Sequence, residues 1–234
     1  MTLKASLFSL VVIVFFTSCS HSTANRNRVE QERQDRELAS AMEIARRPKI
    51  VIDAGHGGKD LGALSHTNPK YQEKNLNLST ALLLNQFLQR MGYQTIMTRG
   101  DDYFVPLSLR ASFANSNRAL LFVSVHYNAA PNTKAEGVEV YYYNSKEDKE
   151  RTKQSKKLAQ TVLDQITANT ECKSRGVKHG NFAVIRETTM PAILIEGGFV
   201  TNDGEIQKLS DPAYLKTIAG SIALGLQKYL KAGE

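Results

Sequence analysis

From Lys49 onward the chain alternates between short apolar runs and longer stretches whose apolar residues recur at helical spacing. Short runs rich in β-branched and aliphatic residues, bounded by Gly, Pro, Asn or Asp, read as strands. Six qualify: Lys49 to Asp53, Tyr93 to Thr98, Leu120 to His126, Val138 to Tyr143, Phe182 to Arg186 and Ala192 to Glu196. Helical spacing covers Glu73 to Met91, Leu107 to Asn117, Arg151 to Asn169 and Pro212 to Lys231. In the first of these, Leu76, Leu83, Leu84, Phe87 and Met91 form one stripe, and Gly92 follows as a C-terminal stop. The alternation predicts an α/β fold, with a mixed, mostly parallel sheet of about six strands flanked by helices on both faces. No internal repeat or second domain interrupts it.

Ahead of Pro48 the pattern changes. Lys4, an apolar run from Leu7 to Phe16 and then Thr17-Ser18-Cys19-Ser20 have the layout of an export signal, and the run is too short to span a bilayer. A small residue before a cysteine at the end of such a run resembles a lipoprotein cleavage box, which predicts lipidation at Cys19. Phe16 stands where Leu is usual, and plain signal cleavage or an uncleaved anchor are the other readings; all three place the body of the protein outside the cytoplasm. Residues 20–47 are almost wholly polar and read as a tether, partly helical, ending at Pro48. The expected division is a signal at 1–19, the tether at 20–47 and one catalytic-size domain at 48–234.

Beyond the signal only Cys172 remains, which excludes an internal disulfide and a cysteine-built metal site. A metal, if present, must use His and carboxylate. The formal charge of +7 suits an anionic partner such as cell wall or a membrane surface, or is scattered solvated Lys and Arg. No basic cluster is interleaved with aromatics, so nucleic acid is not an expected partner.

Three predicted strands end in a polar residue that a core strand would not select: Asp53 just before His56 in "VIDAGHGGKDLGA", His126 in "FVSVHYNA" and Glu196 in "AILIEGGF". Strand ends of like direction lie on one edge of an open sheet, so these residues can converge in one crevice. Glu73 opens a predicted helix that points toward the same edge. His56, Glu73 and His126 could then form a two-histidine, one-carboxylate set with an open fourth position, which suits catalytic zinc. Each also has an ordinary structural use: His56 is a loop histidine making ordinary hydrogen bonds, Glu73 complements the helix dipole, His126 is a satisfied strand-end histidine, and Glu196 pairs with an arginine such as Arg99.

The segments "VIDAGHGGKDLGA", "QEKNLNL", "TRGDDYFVPLSLRASFAN", "FVSVHYNA", "GVEVYYY" and "RGVKHGNFAVIRETTMPAILIEGGFVTNDGE" stand in the order and spacing of a known family. From Lys49 to the C-terminus the chain resembles the zinc-dependent N-acetylmuramoyl-L-alanine amidases of bacterial cell separation. The resemblance implies that His56, Glu73 and His126 bind Zn2+ and that Glu196 is the general base. It also implies that the bond cut joins the lactyl carbonyl of N-acetylmuramic acid to the L-alanine of the stem peptide, with peptidoglycan or muropeptides as substrate. Several members of that family carry an inserted helix after the strand matching Val138 to Tyr143, which blocks the zinc until a partner protein removes it. Here only the charged link Asn144 to Glu150 separates that strand from the next helical stripe, and no targeting domain precedes Pro48. No obligatory activator is expected, and the expected location is the periplasm, with a membrane anchor through Cys19.

Other residues carry weaker readings. Arg110 and Asn128 lie in matched segments, with structural hydrogen bonding the favoured use over substrate contact. Lys178 is a candidate for binding a peptide carboxylate, and His179 reads as a surface residue near the cleft. Asp53 either orients a metal ligand or caps the turn, and Gly197 and Gly198 either leave room for substrate or end a strand. The rival enzyme is a zinc peptidase acting on the stem peptide; a wall-binding lipoprotein without activity is the rival of another class. A serine route is disfavoured, since neither Gly-x-Ser-x-Gly nor Ser-x-x-Lys occurs.

Overall fold

The computed structural model describes the backbone of residues 9–46 and 48–232, and the side chains of 25–43 and 48–232. The chain divides into two units at the Arg47–Pro48 junction. The first contains one helix, α1 (Ser9–Arg46), whose described side chains are all exposed and linked by pairs such as Arg28–Glu32 at 3.3 Å. A helix polar on all sides is held by such pairs rather than by a core. Of the expected export signal, residues 1–8 and every side chain, that of Cys19 included, lie outside the described residues. Among the described residues, no helix is long and apolar enough to cross a membrane.

The second unit holds a six-stranded sheet in the order β2-β1-β3-β6-β4-β5. Its strands are β1 (Lys49–Ala54), β2 (Gln94–Met97), β3 (Leu121–Asn128), β4 (Val138–Tyr142), β5 (Ser174–His179) and β6 (Ala192–Phe199). Every neighbouring pair is parallel except β4 with β6, so the sheet is mixed and mostly parallel, as the alternation predicts. Ile50, Ile52, Leu121, Val123, Val125, Ile193 and Ile195 face one core, together with α2 (Glu73–Arg90), α4 (Lys149–Thr170) and α7 (Pro212–Lys231). Val51, Phe122, Ala192 and Leu194 face the other, against α3 (Leu107–Ser116) and the short α5 (Ala183–Arg186). Burial on both faces is why these strands read as unbroken apolar runs.

The chain leaves β1 toward β2 on one side and later returns to β3 on the other. This reversal of order opens a crevice at the carboxyl ends of β1 and β3, the usual place for a ligand in an open α/β sheet.

One predicted strand is corrected. Phe182 to Arg186 is not extended; Arg186 N and Glu187 N donate to Phe182 O and Ala183 O, both at 2.9 Å, and the segment is α5. A single helical turn buries the adjacent Val184 and Ile185 as readily as a strand would, so a short apolar run does not distinguish the two. The sixth strand is instead β5, Ser-Arg-Gly-Val-Lys-His, an edge strand with no buried residue and hence no apolar signal. A further helix, α6 (Asp203–Leu209), was not predicted; it starts where the Asn202 side chain accepts from Glu205 N.

Candidate metal centre

Past β1 the chain turns through Gly55-His56-Gly57-Gly58, and two buried arginines hold the turn. Arg99 donates to Ala54 O at 2.9 Å and to Gly55 O at 2.7 Å; Arg110 donates to Ala54 O at 2.6 Å and to His56 O at 2.7 Å. Guanidinium groups supply several donors in a rigid plane, so they can satisfy consecutive carbonyls that no strand pairs. Arg110 also pairs with Asp53 at 2.8 Å, and Ser124 and Thr98 donate to the same carboxylate at 2.6 Å. Asp53 therefore acts on the turn through Arg110 and does not touch His56. Held in this way, His56 has a φ of 59°, a left-handed conformation uncommon outside glycine.

The His56 ring lies between two carboxylates. Its Nδ1 is 2.8 Å from Asp60 Oδ2 and its Nε2 is 3.1 Å from Glu73 Oε2. Glu73, the first residue of α2, is buried, and its other oxygen is 2.9 Å from His126 Nδ1. Ala63 N donates to Glu73 Oε2 at 2.9 Å and Asn77 to Oε1 at 3.2 Å. Burial pushes the Glu73 carboxyl up, but the hydrogen bonds and charges of His126 and His56 outweigh this and hold it well below the usual carboxylate range. Burial likewise lowers the His56 pKa, yet Glu73 and Asp60 reverse the direction and leave it raised.

One ligand atom from each of His56, Glu73 and His126 falls within 4.8 Å of the others. Two glycines make the approach possible. A β-carbon on Gly62 would stand 2.5 Å from Glu73 Oε2 and 2.7 Å from His56 Cδ2, and one on Gly55 would stand 2.2 Å from the His126 ring. Two imidazole nitrogens and a carboxylate oxygen, gathered in a cradle that side chains would fill, fit a borderline divalent ion such as zinc. Asp60 stands beside the far nitrogen of His56, the place of the carboxylate common behind metal-binding histidines, at 2.8 Å but without hydrogen-bond alignment.

Glu196 stands opposite His126 in the register of β3 and β6, so the two side chains share a sheet face. Its Oε2 is buried with no hydrogen-bond partner among the described residues. Burial pushes this carboxyl well above the ordinary range, and the charges of Glu73 and Glu139 push the same way. Glu139 is the register partner of Glu196 in β4, and it is fully supplied with donors. Asn128 at 2.8 Å and Tyr141 at 2.6 Å donate to one of its oxygens; Arg175 at 2.9 Å and Lys178 donate to the other. Burial raises the Glu139 carboxyl, but these partners outweigh it and leave it lowered.

The structure thus brings His56, Glu73 and His126 together, with Glu196 beside them. Arg99 does not pair with Glu196; its donors are taken by backbone carbonyls. Arg110 and Asn128 make structural hydrogen bonds, and His179 is an exposed residue accepting from Asn144 N at 3.1 Å. Gly197 serves packing, because a β-carbon there would meet Tyr127 at 2.8 Å, and Gly198 has a φ of 139°, a conformation that residues with side chains rarely adopt. Asp60 and Glu139 were not singled out from sequence. Asp60 sits four residues after His56 in a glycine-rich turn where a polar residue is ordinary, whereas Glu139 carried a usable signal, a charge inside the apolar strand "GVEVYYY".

An α/β domain that gathers two histidines and two carboxylates at the carboxyl edge of its sheet has the arrangement of a hydrolase with a candidate metal site. Residues 50–228 match the family described as N-acetylmuramoyl-L-alanine amidase. The chain belongs to that family, and its activity is that of an amide hydrolase of peptidoglycan. It is 32% identical to the amidase AmiC of Neisseria meningitidis serogroup B, matching 79% of this chain and 53% of that one, so it spans about half that relative's length. Among solved structures, an N-acetylmuramoyl-L-alanine amidase from Clostridium difficile 630 is 39% identical with a TM-score of 0.75, covering 80% of this chain and 99% of that one. The CwlD amidase from Clostridioides difficile, solved in complex with the GerS lipoprotein, is 30% identical with a TM-score of 0.73, covering 79% and 99%.

Proposed function

We propose that this amidase is a zinc enzyme, with His56, Glu73 and His126 as ligands and Glu196 as general base, and that it cuts the bond between N-acetylmuramic acid and the L-alanine of the stem peptide. The observation that carries the reading is the convergence of the three ligand atoms within 4.8 Å with Glu196 in register beside His126.

A bound zinc supplies a Lewis acid for the lactyl carbonyl and brings the pKa of water toward neutrality. Asp60, beside the far nitrogen of His56, would keep that ring turned toward the site, while His56 Nε2, His126 Nδ1 and the Glu73 carboxylate that they face are the atoms that would hold the ion. Glu196 takes the proton of the attacking water and hands it to the L-alanine nitrogen as the C–N bond breaks. Burial holds the Glu196 carboxyl above the ordinary carboxylate range, the direction that favours a group which must both accept and release a proton.

The setting we propose is wall remodelling and cell separation outside the cytoplasm, with the chain exported and held at a membrane by lipid on Cys19. The apolar run before a small residue and a cysteine supports the anchor. Metabolic labelling with a fatty-acid probe tests it: label should be lost in Cys19→Ala.

Mass analysis of muropeptides after incubation with the zinc-loaded protein tests the reaction. Intact stem peptide with a free L-alanine amine is the expected product, and shortened stem peptides would instead establish a peptidase. Replacing His126 by Ala should lower zinc content and turnover together. A variant that keeps both in full would remove His126 from the ligand set.

A further inference from the structure

The row of side chains that begins at the metal centre does not stop at Glu196. It continues across the sheet through Glu139 on β4 to Arg175 and Lys178 on β5. Lys178 is the register partner of Tyr141, whose hydroxyl donates to Glu139, so these groups share the sheet face of His126 and Glu196. We propose that Arg175 and Lys178 form a subsite for the free carboxylate on the second residue of the stem peptide, with Glu139 as the residue that positions both cations. This rests on the amidase reading of the neighbouring site.

The charge balance supports an anionic ligand. One buried carboxylate, Glu139, faces two cations whose side chains remain 32% and 38% exposed. Glu139 and the two cations together keep a net positive charge; Arg175 also donates to Glu136 O at 3.3 Å and lies over the Phe199 ring at 4.8 Å, which leaves Lys178 the freer of the two. Lys178 has three N–H donors, of which Glu139 takes one. The other buried cations near the site are spoken for: Arg99 and Arg110 by carbonyls and Asp53, and Lys74 by Gly58 O and Asp102.

The distances also agree. Neighbouring strands lie about 4.8 Å apart, and both cations reach in from β5 to the carboxylate of Glu139, the register neighbour of Glu196 one strand away. Two extended residues span at most about 7 Å. When the L-alanine nitrogen lies at Glu196, a carboxylate on the next residue therefore falls within reach of Arg175 and Lys178. In a stem whose second residue is D-glutamate joined through its side-chain carboxyl, the α-carboxylate is free and meets this requirement; in the isoglutamine form it is an uncharged amide.

The experiment compares two substrates that differ only there: N-acetylmuramoyl-L-alanyl-D-isoglutamate and its isoglutamine amide. The zinc-loaded full chain should prefer the acid in kcat/KM by about tenfold, the low end for hydrogen bonds to a charged group because the cations are partly exposed. Lys178→Met should bring the ratio close to one, and Lys178→Arg should restore most of it. If Lys178→Met does not fold, Arg175→Gln should show the same loss of preference. A merely structural role for Lys178 would lower both rates alike and leave the ratio unchanged. Equal rates on the two substrates with the native chain, or a preference that survives Lys178→Met, would overturn the subsite. Binding of the same pair to Glu196→Gln by calorimetry separates this from the amidase reading: a preference for the acid there supports the subsite even if the products show another bond is cut, and no preference overturns it.

Discussion

The ring of His126 occupies the space where Gly55 would carry a side chain: a β-carbon on Gly55 would lie 2.2 Å from its Cε1 and 2.3 Å from its Nε2. Gly55 is not among the glycines with positive φ, so its backbone is open to any residue and the requirement is the close approach itself. Gly55→Ala should fold and yet push His126 out of line with Glu73. Zinc content at limiting metal and turnover should both fall about tenfold or more, the usual cost of misplacing a ligand through its support. A Gly55→Ala protein with normal metal affinity would show that the ring has another place to go.

Glu196→Gln should retain both zinc and fold while losing hydrolysis by a factor on the order of 100 to 10,000. The amide keeps the size of the side chain but cannot accept the proton of the attacking water. Metal analysis alongside turnover is the check. Loss of metal in this variant would make Glu196 a ligand and dissolve the division of roles with Glu73.

The site was legible where chemistry interrupts an apolar pattern. His126 and Glu196 stand in strands that are otherwise mostly apolar, and Glu73 opens a helix that needed no acid for its stripe, so their types and positions were conspicuous. Asp60 was not, because polar residues are expected in a glycine-rich turn, and only the folded distance of 2.8 Å to His56 distinguishes it. Arg99 shows the limit from the other side. Its charge suggested a carboxylate partner, whereas the fold uses its geometry to satisfy carbonyls released by the turn after β1. The strand order was equally hidden, since β5 buries nothing and α5 imitates a strand in composition.

Arg110 and Asp53 are both fully buried, and the arginine also holds the carbonyls of Ala54 and His56. Arg110→Met should destabilise the domain by about 3–5 kcal/mol, because it leaves the Asp53 charge without its counterion. Chemical denaturation measures this directly. The same variant should bind zinc more weakly, since the His56 carbonyl is released. A loss under 1 kcal/mol with unchanged zinc affinity would mean that Ser124 and Thr98 alone suffice for Asp53.

Asp102 ties the His56 loop to α2 by accepting from Gly58 N at 2.8 Å and from Lys74 Nζ at 2.6 Å. The Lys74 hydrogen bond, followed by the Gly58 amide, holds its carboxyl below the usual value. A lowered carboxyl binds its proton less readily in the folded state than in the unfolded one, so its contribution to stability is present above about pH 3.9 and is lost as pH falls through the folded value. Asp102→Asn should therefore have a lower Tm than the native chain at pH 7. The gap should be modest, since Asp102 is exposed, and should close in acid below about pH 4. A gap that widens in acid would assign the wrong sign to this pair.

The connection from β4 to α4 bears on regulation. Tyr142 ends the strand and Lys149 begins the helix, leaving only residues 143–148 between them. That link is tied down: Asn144 N donates to His179 Nδ1 at 3.1 Å, Ser145 N donates to Thr152 at 2.9 Å, and Asp148 caps α4. Six residues would make at most about 9 Å of helix even if every one were helical, too little to leave the sheet, cover the metal centre and return. The open site should therefore work without a second protein. Protein from Pro48 onward, supplied with zinc, should release stem peptide from peptidoglycan fragments, and adding further polypeptides should not raise the rate. The relative solved with a lipoprotein partner makes the opposite outcome concrete. If the zinc-loaded domain is inert until a second chain is added, control resides in another part of the structure, and the loop at 68–72 beside the start of α2 is the first place to mutate.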